Sequence, residues 1–173
     1  MSTDILDAME VCLRRPTDTR TDLEAEGAGE IARSLNVLLS DMFALYVKTK
    51  NFHWHVSGPH FRDYHRLLDE QATQIFATTD TIAERVRKLG KPTLHSIGQI
   101  ARLQRVADNE SDDMAPHDML SELLQNNIEL TASLRKTHAL CDRHDDVATA
   151  SLIENWIDEA EQRTWFLSET LKQ

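Results

Sequence analysis

Turn-forming residues are scarce in this 173-residue chain, which holds only 5 Gly and 4 Pro. A sandwich or barrel needs turn signals about every 8–12 residues, so that scarcity speaks against an all-β fold. Cysteine is almost absent. Cys12 and Cys141 stand alone without a CxxC spacing, which fits a reducing compartment better than a disulfide framework or a thiolate zinc site. No apolar run approaches the ~18 residues that a spanning helix requires, so no membrane association is expected. The first residues, Met1-Ser2-Thr3-Asp4, lack the basic segment and apolar stretch of a secretory signal, and a cytoplasmic protein is expected. Positive charge is in deficit: 19 Lys and Arg face 29 Asp and Glu, a formal net charge of −10, which disfavours a surface built to coat nucleic acid. Hydrophobic residues nevertheless make up 40% and charged residues 28%, the balance of a folded globular domain rather than a disordered chain.

What the chain does contain is helical periodicity. Residues 1–23 mix short apolar groups with charges around Pro16 and read as an N-terminal arm, leaving 24–173 as one domain. From about Glu26 to Val56, Ile31, Leu35, Leu38, Met42 and Leu45 recur at three- and four-residue steps. Gly58-Pro59 ends that helix. A second runs from about His60 to Leu89 and stops at Gly90-Lys91-Pro92, a glycine followed by a proline. Ser96 is placed to cap a short helix reaching Val106. Pro116 opens a third long helix with Leu120, Leu123, Leu124, Leu130 and Leu134, ending near His144. Asp146 is placed as the N-cap of a fourth, whose buried stripe is Leu152, Ile153, Trp156, Ile157, Ala160 and Leu167. Four long helices with a short one in the crossover between the second and third predict an all-α, ferritin-like four-helix bundle.

The chemistry concentrates between His53 and Glu84. On a wheel of ~100° per residue with His65 at zero, Asp69 falls at ~40°, Asp80 at ~60° and Glu84 at ~100°. Leu67, Leu68, Ile75, Ile82, Val86 and Leu89 fall on the other side, between ~200° and ~300°. The acidic and imidazole face therefore points away from the core of its own chain. His65/Asp69 and Asp80/Glu84 are each i,i+4 pairs able to reach one metal ion. Yet His65 and Glu84 lie roughly 28 Å apart along the helix axis, so one subunit cannot bring the two pairs together. Two copies crossing antiparallel on a two-fold axis near Thr73 to Ile75 would join the first pair of one chain to the second pair of its mate. His53, which precedes the turn at Gly58-Pro59 as His65 follows it, then stands at similar height. Two His and three carboxylates suit Fe(II), Mn(II) or Zn(II) and are poor for copper(I) or iron–sulfur clusters.

The stretch Lys48-Thr49-Lys50-Asn51-Phe52-His53-Trp54-His55-Val56-Ser57-Gly58, followed by Phe61, His65, Asp69-Glu70, Asp80 and Ala83-Glu84-Arg85, resembles the signature of the Dps mini-ferritins, the DNA-binding proteins from starved cells. The resemblance implies a homododecamer of two-fold dimers with ferroxidase sites between subunits. It implies oxidation of Fe(II), preferably by hydrogen peroxide and otherwise by dioxygen, with storage of Fe(III) mineral in the hollow interior. Carried onto this chain, the iron ligands and catalytic residues are His53, His65 and Asp69 from one subunit and Asp80 and Glu84 from the other. Zinc or manganese is an alternative occupant.

Trp54, beside a ligand, is placed to intercept a stray radical or to pack at the dimer interface. His55 and His60 are accessory candidates. Trp156 and Trp165 are expected as core and subunit contacts, and Lys48, Arg85 and Arg87 as interface ion pairs. Asp142, Asp145 and Asp146 occupy the turn that lines three-fold channels in the family's shells, where acidic groups would concentrate Fe(II). Residues 1–22 set Arg14, Arg15 and Arg20 against Asp4, Asp7, Glu10, Asp18 and Asp22, a balance of minus two. Phosphate binding needs positive charge, so DNA binding is expected to be weak or absent; the alternative function is a nucleoid architectural protein with secondary iron binding.

Overall fold

The computed structural model describes residues 21–172. Five helices and no strand occur among the described residues: α1 (Ala25–His55), α2 (Phe61–Lys88), the short α3 (Ile97–Leu103), α4 (Pro116–Arg143) and α5 (Val147–Thr170). This is the expected four-helix bundle with its crossover helix. The arm expected over 1–23 lies almost wholly outside the described residues.

Punctuation in the sequence sets the boundaries. Between α1 and α2 the chain reverses at Gly58, whose φ of +93° is left-handed and costs a residue without Cβ little. At the end of α2, Gly90 takes φ +73°, and the Lys91 and Gly90 N–H groups donate back to Val86 and Arg87. That closure satisfies carbonyls a helix end leaves orphaned. Ser96 Oγ accepts from Gln99 N at 3.2 Å to start α3, Pro116 opens α4, and Asp146 caps α5 by accepting from Thr149 N at 3.0 Å.

The predicted apolar stripes meet in one core. Ile31, Leu35, Leu38, Met42 and Leu45 of α1 are buried with Leu68, Ile75, Ile82 and Val86 of α2, Leu120, Leu123, Leu130 and Leu134 of α4, and Ile153, Trp156, Ala160 and Leu167 of α5. Removing one such Leu or Ile to Ala typically costs about 2–5 kcal/mol, so each helix is held chiefly by this face. Two polar anchors fix the crossover onto the bundle. Asp41, buried on α1, accepts from Arg105 N at 2.6 Å, Nε at 2.9 Å and Nη2 at 2.5 Å. Lys48, also buried, donates to Glu122 at 2.5 Å and Asn126 at 3.0 Å on α4, while Asn109 of the crossover donates to the other Glu122 oxygen at 2.6 Å.

Two expectations are corrected here. Lys48 is satisfied inside its own chain rather than at a subunit interface. Arg85 likewise donates to Asp146 at 2.7 Å and Thr149 at 2.6 Å, because its position on α2 faces the start of α5. Arg87, at the exposed end of α2, reaches the Lys91 carbonyl at 3.2 Å.

Candidate metal centre

The turn at Gly58-Pro59 folds α2 back along α1, and this brings His53 and His65 together. Their rings stack with centroids 3.7 Å apart and planes inclined by 22°. Each ring also bonds the other's backbone: His53 Nδ1 lies 2.8 Å from the His65 carbonyl and His65 Nδ1 lies 2.8 Å from the His53 carbonyl. A carbonyl oxygen only accepts, so each Nδ1 carries the proton and donates. Both imidazoles are thereby fixed as the tautomer whose bare nitrogen is Nε2, the arrangement that orients a metal-ligating histidine. His53 is buried and His65 half-buried, which adds steric to electronic constraint.

Asp69, one turn on from His65, lies with an oxygen 3.9 Å from His53 Nε2. Its carboxylate is half exposed and paired with Lys50 Nζ at 2.8 Å. The Lys50 ammonium, by hydrogen bond and by charge, holds the Asp69 carboxyl below its usual value of 3.8, with smaller lowering from His53 and His65. Lys50 escaped the sequence reading. Its signal was present in the spacing of three residues before His53, which puts it on the same face of α1.

Asp80 and Glu84 are both exposed on the same face of α2 and form the second group. Glu84 pairs with Lys88 at 3.2 Å across one helical turn, a solvated contact of small value. Asp80 borders a shallow apolar groove with Phe43, Phe76 and Leu94. Among the described residues, no three His, Cys, Asp or Glu side chains converge on one point as a metal cage. The chain therefore presents two separate groups: His53, His65 and Asp69 at one end of α2, Asp80 and Glu84 near the other.

The remaining candidates divide. Trp54 is 63% exposed beside His53, and Trp165 is 60% exposed whereas Trp156 is buried. His55 Nδ1 bonds the Asn51 carbonyl at 2.8 Å within its own helix, and His60 contacts Tyr64; neither joins the His53–His65 pair. Of the three acids in the α4–α5 turn, Asp142 and Asp145 are exposed. Asp146 is not free for a channel. It is 3% exposed, and its two oxygens are taken by Thr149 and Arg85.

Comparison with known proteins agrees with this architecture. The ferritin-like domain family matches residues 32–173. The "DNA protection during starvation protein" of Agrobacterium fabrum is 31% identical over 149 residues, covering 86% of this chain and 92% of that one. The crystal structure of antigen TpF1 from Treponema pallidum superposes with a TM-score of 0.83 at 27% identity, over 87% of this chain and 96% of the other. The same fold is found in the Dps protein of Vibrio cholerae O1, a member of a broad superfamily of ferritin-like diiron-carboxylate proteins, with a TM-score of 0.84 at 23% identity over 91% of this chain and all of that one. The chain is thus a ferritin-like protein by fold and by sequence. Within that class it belongs to the Dps family of mini-ferritins.

Proposed function

We propose that this protein is a ferroxidase and iron store of the mini-ferritin kind, with its oxidation site divided between two subunits related by a two-fold axis. The observation that carries the proposal is the reciprocal bonding of His53 and His65, which holds two Nε2 lone pairs ready for a metal, beside Asp69. Asp80 and Glu84 share a helix face with His65 and Asp69. Axial distance separates the two groups, and an antiparallel second copy closes that distance. A stripe of exposed apolar residues supports such a copy: Phe76 is 50% exposed and packs on Tyr46, while Val47 and Ile97 border one groove with Phe43. Exposed apolar side chains that adjoin one another in this way suit an interaction face. Homodimers of this form build the hollow dodecamer expected from the family.

Nitrogen and carboxylate donors hold Fe(II) and favour the Fe(III) that follows. Hydrogen peroxide is the preferred oxidant: one peroxide takes one electron from each of two Fe(II) ions, its O–O bond breaks, and two protons complete two waters. Paired oxidation avoids the one-electron cleavage that releases hydroxyl radical. Asp142 and Asp145 draw Fe(II) to the shell, and Trp54 is positioned to intercept stray oxidant. The Lys50 ammonium competes with the incoming cation for Asp69.

Removing Fe(II) and peroxide in one step protects nucleic acid without touching it, which accords with the name of the Agrobacterium relative. Direct DNA compaction is the second reading, and the net acidity of residues 1–22 disfavours it. Anaerobic loading with Fe(II) followed by peroxide, in the assembled protein, tests the proposal. Two Fe(III) formed per peroxide without hydroxyl radical is expected. Fe(II) held unoxidised would identify a zinc- or manganese-type buffer instead.

A further inference from the structure

Four of the five proposed ligands stand on α2, so the geometry of the shared site depends on how α2 is held. The two ends of that helix are held by different partners. Its His65/Asp69 half is bonded to α1, through the His53–His65 interlock and Lys50. Its Asp80/Glu84 half is tied to the start of α5, through Arg85 to Asp146 and Thr149. Between these ends, the middle of α2 is tied to α5 by Arg163, a guanidinium only 2% exposed inside the bundle.

Arg163 Nε donates to Asn127 Oδ1 on α4 at 2.8 Å, and Arg163 Nη1 donates to Gln74 Oε1 on α2 at 2.7 Å. The Gln74 amide nitrogen faces Gln162 Oε1 of α5 at 3.4 Å. Burial draws Arg163 down to about 10, so the group stays cationic at neutral pH, and both of its named acceptors are neutral amides. Hydrogen bonds from a charged donor are stronger than ordinary amide pairs. Position matters as much as strength. Gln74 lies midway between Asp69 and Asp80, and equally midway between His65 and Glu84, at the point where two copies of α2 would cross. On the helix wheel it sits ~180° from His65, on the back of the ligand-bearing face.

We infer that Arg163, acting through Gln74, is a positioning residue that sets the rotation and axial register of α2 at the two-fold crossing, and with them the fit of Asp80 and Glu84 to the partner's histidines. A clamp at the crossing point turns both ligand pairs together without tilting one against the other. The inference rests on the shared site proposed above. It assigns to a buried arginine on α5, remote in sequence from every ligand, control over metal geometry.

Removing Arg163 would leave Asn127 and Gln74 without their donor in the core and destabilise the whole bundle, so the test changes Gln74. Gln74→Met keeps length and loses the acceptor; Gln74→Glu keeps an acceptor for Arg163. Each full-length assembly is titrated anaerobically with Co(II), following affinity and the d–d spectrum, with oligomer size and urea midpoint measured alongside. Gln74→Met is expected to weaken Co(II) binding about tenfold, the low end for losing a residue that orients ligands, and to alter the spectrum. Gln74→Glu should bind no more weakly than wild type, with a wild-type spectrum. A Gln74→Met protein that loses urea resistance while keeping wild-type affinity and spectrum would show a purely structural clamp and overturn the inference. Wild-type protein that binds no Co(II) at two sites per dimer would overturn the shared site itself.

Discussion

Asp146 offers a direct test of how the α4–α5 turn is used, because the structure gives it a structural role where its neighbours face solvent. Asp146→Ala removes the cap of α5, which costs about 1 kcal/mol. It also strands Arg85. Breaking a buried ion pair from one side costs about 3–5 kcal/mol, and the Arg85 side chain is 16% exposed and keeps its bond to Thr149, which places the loss near the bottom of that range. The sum is about 4 kcal/mol, close to a thousandfold in the folding equilibrium constant. Asp145→Asn, at an exposed residue with φ of 56° that Asn tolerates, should stay within about 0.5 kcal/mol of wild type. Urea unfolding at one fixed chain concentration compares them, since assembly adds to apparent stability. Adding Arg85→Met to Asp146→Ala should recover part of the loss by removing the stranded charge. Equal midpoints for Asp146→Ala and Asp145→Asn would refute the reasoning.

Two further outcomes follow from the site and the core. Lys50→Met should tighten Co(II) binding at neutral pH by removing the ammonium that competes for Asp69. It should also move the acid limb of binding to higher pH, since a carboxyl no longer held below 3.8 takes up its proton earlier as pH falls; calorimetric titration at several pH values reads both effects. The sign for stability is the same: the Lys50–Asp69 contribution is present at neutral pH and disappears as pH falls through the lowered Asp69 value. Cys141, buried in the bundle with its thiol pushed up to about 12 by burial and by Asp146 and Asp142, should resist thiol reagents at pH 8 in the native protein and react once urea unfolds it. Native reactivity at the rate of a free thiol would contradict its placement.

The helix plan was legible because its signals are local. Gly58-Pro59, Gly90, Ser96, Pro116 and Asp146 punctuate the chain; the expected bounds of α1, α2 and α4 and the start of α5 lie within about one residue of those observed, while the short helix stops at Leu103 rather than Val106. The face of α2 was legible for the same reason, since a helix wheel needs only spacing. What the sequence left hidden depends on the registry between helices. The bonds from each imidazole to the other's carbonyl require α1 and α2 to align to within one residue. Lys48 and Arg85 find partners 74 and 61 residues away, and charge pattern alone cannot tell such partners from those on another subunit. Arg163 was invisible for a further reason: an arginine among helical polar residues is ordinarily solvated, and only packing shows that this one is enclosed. Asp146 was read correctly as a cap, and its simultaneous use as a channel residue fails because one carboxylate cannot serve both.

The central claim is that each oxidation site draws on two chains, and mixed assemblies test it. His65→Ala and Asp80→Ala should each nearly abolish rapid Fe(II) oxidation alone, since each removes a ligand from both sites of its own dimer. In a mixed dimer one site lacks both residues, while the other combines an intact His65/Asp69 pair with an intact Asp80/Glu84 pair. Random pairing makes half the dimers mixed, each with one working site, so about a quarter of wild-type sites should return. The measurement is the initial oxidation rate of the two variants refolded together against a mixture of the two preformed assemblies, with mixed dimers counted by native mass spectrometry. Recovery of about a quarter of the wild-type rate is the predicted result; equal rates in the two samples, with mixed dimers present, would contradict the account.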